Sequence, residues 1–466
     1  MGGYETGDTI VAPATALLPS ALGVVRLSGP DAWDLARGLL AAPPRSIRAQ
    51  HSFTAELIID LDPGDPATAQ LRETAVLTCW RGPHSYTGED LVDVSLHGSP
   101  LLVRQLLALC TARGARPAEA GEFTYRAYLN GKLDLAQAEA VQELIAAGSG
   151  RALLLAGASL AGVPSALVRE WVEWLTATLA GIEVTHDYAA DGLDATLDAE
   201  ELAAPHRLAA ELGELLRQVD QALQDSRRTA PLREGITVAL VGPPNVGKST
   251  LFNALLGHER ALTDPAPGTT RDYITETIDS GGIRLTLVDT AGYRDVADAV
   301  EAAGVRRAGD WARAADRVLW VTAADGERVP LPGALESDEP ISVVTRCDRL
   351  EQWPDVEAPG SAPGGPVCYV SGKTGRGVAE LWAVLWGAAG QVQMPVLAAF
   401  GQRQAGCIAE AAGHLRRALT ALEGRLPTDA VAQDLYAARR ALQGVYQHPG
   451  RQEVIDQIFS RFCVGK

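Results

Sequence analysis

At 466 residues, with 47% hydrophobic and 21% charged side chains, the chain reads as a soluble globular protein of roughly two to four domains, since one core stops growing before this length. No uninterrupted apolar stretch is long enough to span a bilayer, and Met1 to Asp8 lacks the basic and apolar regions of a signal peptide, so a cytoplasmic location is expected. A formal net charge of −17 excludes non-specific coating of nucleic acid, which needs a basic field, so any RNA contact is local or shared with a partner.

From about residue 8 to 113, short apolar or alternating runs at Gly23–Leu27, Phe53–Ile59, Thr74–Cys79 and Val92–Leu96 predict strands. Helical patterns at Asp31–Leu40 and Pro100–Arg113 intervene, giving an α+β domain. From Leu133 the period changes to that of a helix. Leu135, Ala138, Val141, Leu144 and Ile145 share one face, Leu208, Leu212, Leu215, Leu216, Val219 and Leu223 another, and the helical segment runs to about Arg228. Strands at Ile236–Val241, Ile283–Val288, Val318–Thr322, Ile341–Thr345 and Val367–Val370 then alternate with helices, as in a mostly parallel sheet. The Pro/Gly-rich run Ala358–Pro366 reads as a surface loop. After Pro395 helical spacing returns, with Ile408 to Leu422, Val431 to Val445 and Val454 to Phe459. Each helical block alone leaves an apolar face uncovered, so the two are expected to pack together around an inserted α/β domain. Cys79, Cys110, Cys347, Cys368, Cys407 and Cys463 lack the close pairing of zinc or redox motifs and read as free thiols.

The α/β segment carries the chemistry. Gly242-Pro243-Pro244-Asn245-Val246-Gly247-Lys248-Ser249 follows an apolar β-branched run and precedes the helix-like Thr250 to Leu256. This is a phosphate-binding loop in context: its backbone N–H groups curl towards phosphates, Lys248 reaches the terminal phosphates, and Ser249 is a Mg²⁺ ligand. Pro267-Gly268-Thr269-Thr270-Arg271-Asp272 supplies a threonine, Thr270, to close over Mg²⁺. At a strand end, Asp289-Thr290-Ala291-Gly292 offers a carboxylate for the metal's water shell and an N–H for the terminal phosphate. Tyr293 stands where many switch GTPases place a water-orienting glutamine. A tyrosine cannot do that work, so the water is positioned from elsewhere in the chain, by a cation, or by a second molecule. The guanine-reading Asn-Lys-x-Asp tetrad is Thr345-Arg346-Cys347-Asp348 here. Asp348 keeps the carboxylate that accepts from guanine, while loss of the Asn amide is expected to weaken binding by about 1–3 kcal/mol. Ser371-Gly372-Lys373 adds a backbone N–H towards the base.

These elements occur with two blocks that general GTPases lack. One holds Tyr86-Thr87-Gly88-Glu89-Asp90, His97-Gly98 and the continuous stretch Gly121-Glu122-Phe123-Thr124-Tyr125-Arg126 through Asn130-Gly131-Lys132-Leu133-Asp134 to Ala140. The other is the ending Phe462-Cys463-Val464-Gly465-Lys466. With them the chain resembles, nearly end to end, the tRNA uridine-modification GTPase family known as MnmE or TrmE.

The resemblance implies an α/β and α+β multidomain fold: a folate-binding N-terminal dimerisation domain at 1–130, an all-α helical domain at 131–231 and 391–466, and an inserted P-loop Ras-like GTPase domain at 232–390. It implies that Asn245, Val246, Gly247, Lys248, Ser249, Thr250, Asp264, Thr269, Thr270, Asp289, Thr290, Ala291, Gly292, Thr345, Asp348, Ser371, Gly372 and Lys373 hold GTP, with Ser249 and Thr270 on Mg²⁺. K⁺ would take Asn245 with Asp264, Ala266 and Thr269, in place of an arginine finger. Glu301 maps onto the water-activating glutamate, and Arg26, Glu89, Lys132 and Lys466 onto the site for a formyl- or methylene-tetrahydrofolate. The partners implied are a second copy, an FAD-binding MnmG-type protein in a heterotetramer, and tRNA. The reaction implied is addition of a carboxymethylaminomethyl or aminomethyl group at C5 of a wobble uridine.

Three stretches depart from the family pattern: Leu18-Pro19-Ser20-Ala21-Leu22 for a Gly-Arg-Gly-Gly loop, the Thr345-Arg346 pair, and Glu183-Val184-Thr185-His186-Asp187-Tyr188 for an acidic-aromatic stretch. Two other readings stay open: a ribosome-associated GTPase switch, which shares Pro-Gly-Thr-Thr-Arg, and a degenerate scaffold with weak GTP turnover.

Overall fold

The computed structural model describes residues 6–44, 49–60, 70–190, 205–258, 274–280, 283–289, 315–326, 340–353, 366–386, 400–447, 452–460 and 462–465. Alternation of inward and outward side chains builds its first sheet. Six strands, β1 (Ile10–Pro13), β2 (Ser20–Ser28), β3 (His51–Asp60), β4 (Gln70–Trp80), β5 (Leu91–Gly98) and β6 (Arg116–Pro117), lie in the order β3-β4-β5-β2-β1-β6. Ala75, Leu77 and Cys79 of β4 turn inward while Thr74 and Val76 face out, the period-two pattern of a sheet with one buried face. Helices α1 (Ala32–Gly38) and α2 (Pro100–Ala112) cover that face, Leu35, Leu102, Val103 and Leu106 joining Val25, Leu27, Leu57, Leu77 and Val94 in one core.

The expected strands are present and longer by a few residues. Two were not foreseen: β1 and β6 are too short to show a period, and they pair in parallel as Ile10 with Arg116 and Val11 with Pro117. Ser20 to Leu22, part of the departing N-terminal stretch, forms the start of β2 and carries an irregular register against β5.

The helical stretch after residue 133 is four helices among the described residues: α4 (Leu135–Ala146), α5 (Gly150–Leu160), α6 (Val163–Ala190) and α7 (Pro205–Glu234), preceded by α3 (Glu122–Leu129). It therefore continues past Arg228 to Glu234. A reciprocal capping box starts α4, because Asp134 Oδ1 accepts from the Gln137 N–H and Gln137 Oε1 accepts from the Asp134 N–H, each at 2.9 Å.

The second sheet contains β7 (Ile236–Val241), β8 (Ile274–Ser280), β9 (Ile283–Asp289), β10 (Arg317–Ala323), β11 (Ile341–Thr345) and β12 (Val367–Tyr369), in the order β12-β11-β10-β7-β9-β8. All neighbours are parallel except β8 and β9. The unforeseen strand β8 mixes isoleucine with Thr, Glu and Asp, as an edge strand with solvent beside it can. Helices α8 (Lys248–His258) and α9 (Val378–Trp386) pack Leu251, Leu255, Leu381 and Leu385 against the central strands.

Three more helices follow: α10 (Gln402–Glu423), α11 (Thr428–Gln443) and α12 (Gln452–Phe459). Contacts divide the chain into two compact units, one of Met1–Gln142, Leu160–Ala209 and Gly413–Lys466, the other of Glu143–Ser159 and Ala210–Ala412. In the first, α6 packs along α11, and the Tyr436 hydroxyl donates to Glu183, a residue of the third departing stretch. In the second, Ser226 of α7 donates to the Phe400 carbonyl at 2.9 Å. Helical residues from both sides of the α/β segment thus meet within each unit. No single helix among the described residues is long and apolar enough to cross a membrane.

The C-terminal tail closes the first unit. Phe459 is fully buried, edge-on to Tyr125 with ring centres 5.3 Å apart, and Val464 bridges to Ala120. Gly121 has φ +72°, and a Cβ on it would lie 2.5 Å from the Phe459 carbonyl oxygen. Gly131 has a similar φ of +67° but open space around it. We predict that Gly121→Ala lowers the first thermal unfolding transition markedly, through backbone strain plus clash, whereas Gly131→Ala meets only the strain of about 1–2 kcal/mol. Equal shifts in a calorimetric scan of the two variants would show that the tail contact has no part in stability.

Candidate functional site

Parallel strands deliver their carboxyl ends to one edge of the second sheet, and that edge collects the described residues expected to bind nucleotide. The chain leaves β7 through Gly242, where a Cβ would fall 2.1 Å from the Val321 carbonyl oxygen of β10, so only glycine lets the loop lie this close. Asn245 (φ 60°) and Gly247 (φ 100°) then take left-handed backbone, turning successive N–H groups towards one point at the start of α8. Lys248 is buried, and its Nζ donates to the carbonyls of Gly242 (2.8 Å) and Pro243 (2.6 Å). Burial pulls its pKa below the lysine range, an effect the Asp289 charge opposes. The Ser249 hydroxyl donates to Asp289 Oδ2 at 3.1 Å, which brings the two groups expected around Mg²⁺ together at the ends of α8 and β9.

The base-recognition loop is tied to the phosphate loop at two consecutive carbonyls. Thr345, buried at the end of β11, points its hydroxyl at the Val246 carbonyl and at the Thr322 carbonyl, the latter 3.0 Å away. Arg346, with φ 59°, donates to the Asn245 carbonyl. The first two tetrad positions thus act on the loop that holds the phosphates. Asp348 Oδ1 accepts from the Ser371 hydroxyl at 2.7 Å, and this bond leads in holding the carboxyl below its usual range, so it meets a base as an acceptor. A Cβ on Gly372 would come within 3.0 Å of the Thr250 backbone, so the Ser371-Gly372-Lys373 turn lies against the first turn of α8.

A second charged cluster belongs to the other unit. Alternation along β2 sends Val25 and Leu27 into the core, so Arg26 and Ser28 share the opposite face. Arg26 forms a two-point bridge to Asp93, both bonds 2.8 Å, beneath the ring of Tyr86. Glu89 accepts from Ser28 Oγ at 2.8 Å and from Arg126 at 3.1 Å. Arg126, only 1% exposed, also bonds Asp8 (2.5 Å) and the fully buried Glu122 (3.0 Å). Lys132 donates to the Pro83 carbonyl at 3.0 Å. Cys463 is exposed.

Both flanking regions match family models. Residues 9–132 match the GTP-binding protein TrmE N-terminus, and residues 135–463 match the MnmE helical domain. The tRNA modification GTPase MnmE of Thermus thermophilus is 39% identical over 465 residues, 98% of this chain and 99% of that protein. The chain belongs to the MnmE family of tRNA modification GTPases. The MnmE proteins of Methylorubrum populi (39% identical, 98% of each chain) and Symbiobacterium thermophilum (38%, 98% of this chain and 99% of that one) agree over the same length. Among solved structures, the G domain of the T. maritima FeoB iron transporter is 27% identical over 33% of this chain and 98% of its own, with a TM-score of 0.25, too slight a likeness to carry weight.

As an MnmE-family member the chain is a GTP-binding GTP hydrolase that acts in tRNA modification. A ribosome-associated switch does not account for the flanking matches. Asp264, Ala266, Thr269, Thr270, Thr290, Ala291, Gly292, Tyr293, Glu301, Lys466 and residues 358–365 lie outside the described residues. Sequence reasoning missed Asp325, which pairs with Arg346 and Arg349, because an Asp-Gly after a strand reads as a turn. It also missed the grouping of Asp8 with Arg116, Glu122 and Arg126, because Asp8 lies more than a hundred residues before the other three.

The Thr345 contacts generate a prediction. A hydroxyl has one hydrogen and cannot donate to the Val246 and Thr322 carbonyls at once, whereas a carboxamide has two. Thr345→Asn should tighten GDP binding and Thr345→Val weaken it, each by about threefold to tenfold in a fluorescent-nucleotide titration. An unchanged affinity in both variants would mean that the tie to the phosphate loop does not reach the ligand.

Proposed function

We propose that this GTPase works with an FAD-binding MnmG-type partner to add an aminomethyl or carboxymethylaminomethyl group at C5 of the wobble uridine of certain tRNAs, using a one-carbon unit from a formyl- or methylene-tetrahydrofolate. The observation that carries the reading is the full-length likeness to tRNA modification GTPases, flanking domains included. With it go domain limits at 1–130, 131–231, 232–390 and 391–466, a homodimer formed through the N-terminal domain, a heterotetramer with the partner, and a cytoplasmic location.

In this reading Lys248 exchanges its contacts with the Gly242 and Pro243 carbonyls for the terminal phosphates, and the amides around Asn245 to Ser249 hold the phosphate oxygens. The adjacent Ser249 hydroxyl and Asp289 carboxylate suit Mg²⁺, with Thr270 as the second hydroxyl. Asn245 with Asp264, Ala266 and Thr269 would hold K⁺. The two cations, when bound, supply positive charge against the phosphoryl group in transit. Thr290, Ala291 and Gly292 face the terminal phosphate, and Glu301 orients the attacking water in place of the glutamine that Tyr293 displaces. Asp348 reads guanine through N–H bonds, with the Ser371-Gly372-Lys373 turn beside it.

Arg26, Glu89, Lys132 and Lys466 form the folate site. Support comes from the state of Glu89: two donors hold its carboxylate in place, and a carboxylate has roughly four acceptor positions, which leaves room for pterin N–H groups.

The mechanism predicts GTP hydrolysis at least about tenfold faster in K⁺ than in Na⁺ at equal ionic strength, the scale of one lost electrostatic contact in a transition state. Glu301→Ala should remove turnover and leave nucleotide bound. Equal rates in the two salts would sink the cation mechanism, and negligible turnover in both would favour the degenerate scaffold. Mass spectrometry of wobble uridines from cells lacking the gene tests the RNA reaction.

A further inference from the structure

Asp325 sits on the turn after β10 and receives two arginines from the loop after β11. Arg346 Nη1 lies 3.4 Å from its Oδ1, and Arg349 Nη1 lies 2.6 Å from its Oδ2. Through Nη2 the same Arg346 donates to the Asn245 carbonyl of the phosphate loop. One guanidinium therefore spans from the turn after β10 to the loop after β7, and its backbone lies just before the short turn Cys347–Arg349 that carries Asp348. A lysine at this position has one charged nitrogen on a flexible stem. The planar fork of arginine has separate N–H edges and can serve two partners at once, provided an acceptor fixes its orientation. Asp325 is that acceptor.

We propose that Asp325 is a positioning residue for nucleotide binding: by anchoring Arg346 across the phosphate loop it holds the phosphate-gripping and base-reading loops at a fixed separation and slows nucleotide release. A nucleotide held by both loops leaves when they separate, and separation breaks the Arg346 bridge. The two ties between the loops differ in kind. The Thr345 bond is buried and neutral. The Asp325–Arg346 pair keeps about a third of each side chain exposed, at 31% and 33%, so salt screens it. Arg349 leads in lowering the Asp325 pKa, which favours the charged carboxylate. The consequence is a residence time for nucleotide that shortens as ionic strength rises.

The test uses the full-length protein loaded with a fluorescent GDP analogue and chased with excess GDP. K⁺ and Mg²⁺ stay fixed while N-methylglucamine chloride raises the ionic strength. Asp325→Asn, which keeps size and removes charge, should release the analogue about threefold to fivefold faster at low salt, the effect of one exposed ion pair. Its release rate should depend on salt less steeply than that of the unmodified protein. Arg346→Lys should flatten the salt dependence likewise, and adding Asp325→Asn to it should change nothing further, because the two residues act through one contact. Release at the unmodified rate in Asp325→Asn overturns the proposal. So does faster release at every ionic strength with the salt slope retained, since that marks a loosened loop. Independent, multiplying effects of the two substitutions overturn it as well.

Discussion

The nucleotide site depends on how closely the loop after β7 is pressed onto β10. At Gly242 there is no space for a single carbon beside the Val321 carbonyl, and this contact fixes where the loop leaves the sheet. From that point two left-handed residues, Asn245 and Gly247, set the direction of the amides, and α8 begins with Lys248 already buried. The carbonyls of Asn245 and Val246 are taken up by Arg346 and Thr345. One crowded backbone contact therefore settles both faces of the loop: the one that meets phosphates and the one that meets the rest of the protein.

The two charged clusters obey opposite electrostatic rules. Arg126 and Glu122 are withdrawn from water, and such a pair holds only if both partners are present, because a carboxylate such as Glu122 left alone in the interior is far more costly than the pair is favourable. That cluster fixes side chains, Glu89 among them, in one arrangement. Around Asp325 the charges stay wet, cost little to separate, and suit a contact that opens and closes during turnover.

Elements with a period were legible in the sequence. The five parallel strands of the second sheet, four strands of the first and helices such as α1, α2, α4, α7, α10 and α11 announced themselves through spacing, and the phosphate loop through its glycines and lysine. What escaped was short or polar: β1 and β6, with four and two residues, and β8, whose outward positions are hydrophilic. The partition of the helical stretch into separate helices escaped for a related reason, since apolar spacing continues across short breaks. At the candidate site, motif chemistry names the residues expected to face a ligand, but not the residues that hold them in place. Asp325 acts through arginines more than twenty residues further along the chain, and Arg126 reaches Asp8 and Glu89 across longer gaps still.

The docking of the tail against the start of the chain has a consequence for biosynthesis. Gly465 lies so near the Pro13 carbonyl that a Cβ would be 2.1 Å away, and Phe459 fills the aromatic pocket beside Tyr125. These residues leave the ribosome only after the whole nucleotide-binding segment has emerged. Through that interval the first sheet can assemble over α1 and α2, yet α3 keeps an uncovered aromatic face that has to wait, or be shielded, until α12 has been made. The unit that is made first is completed last.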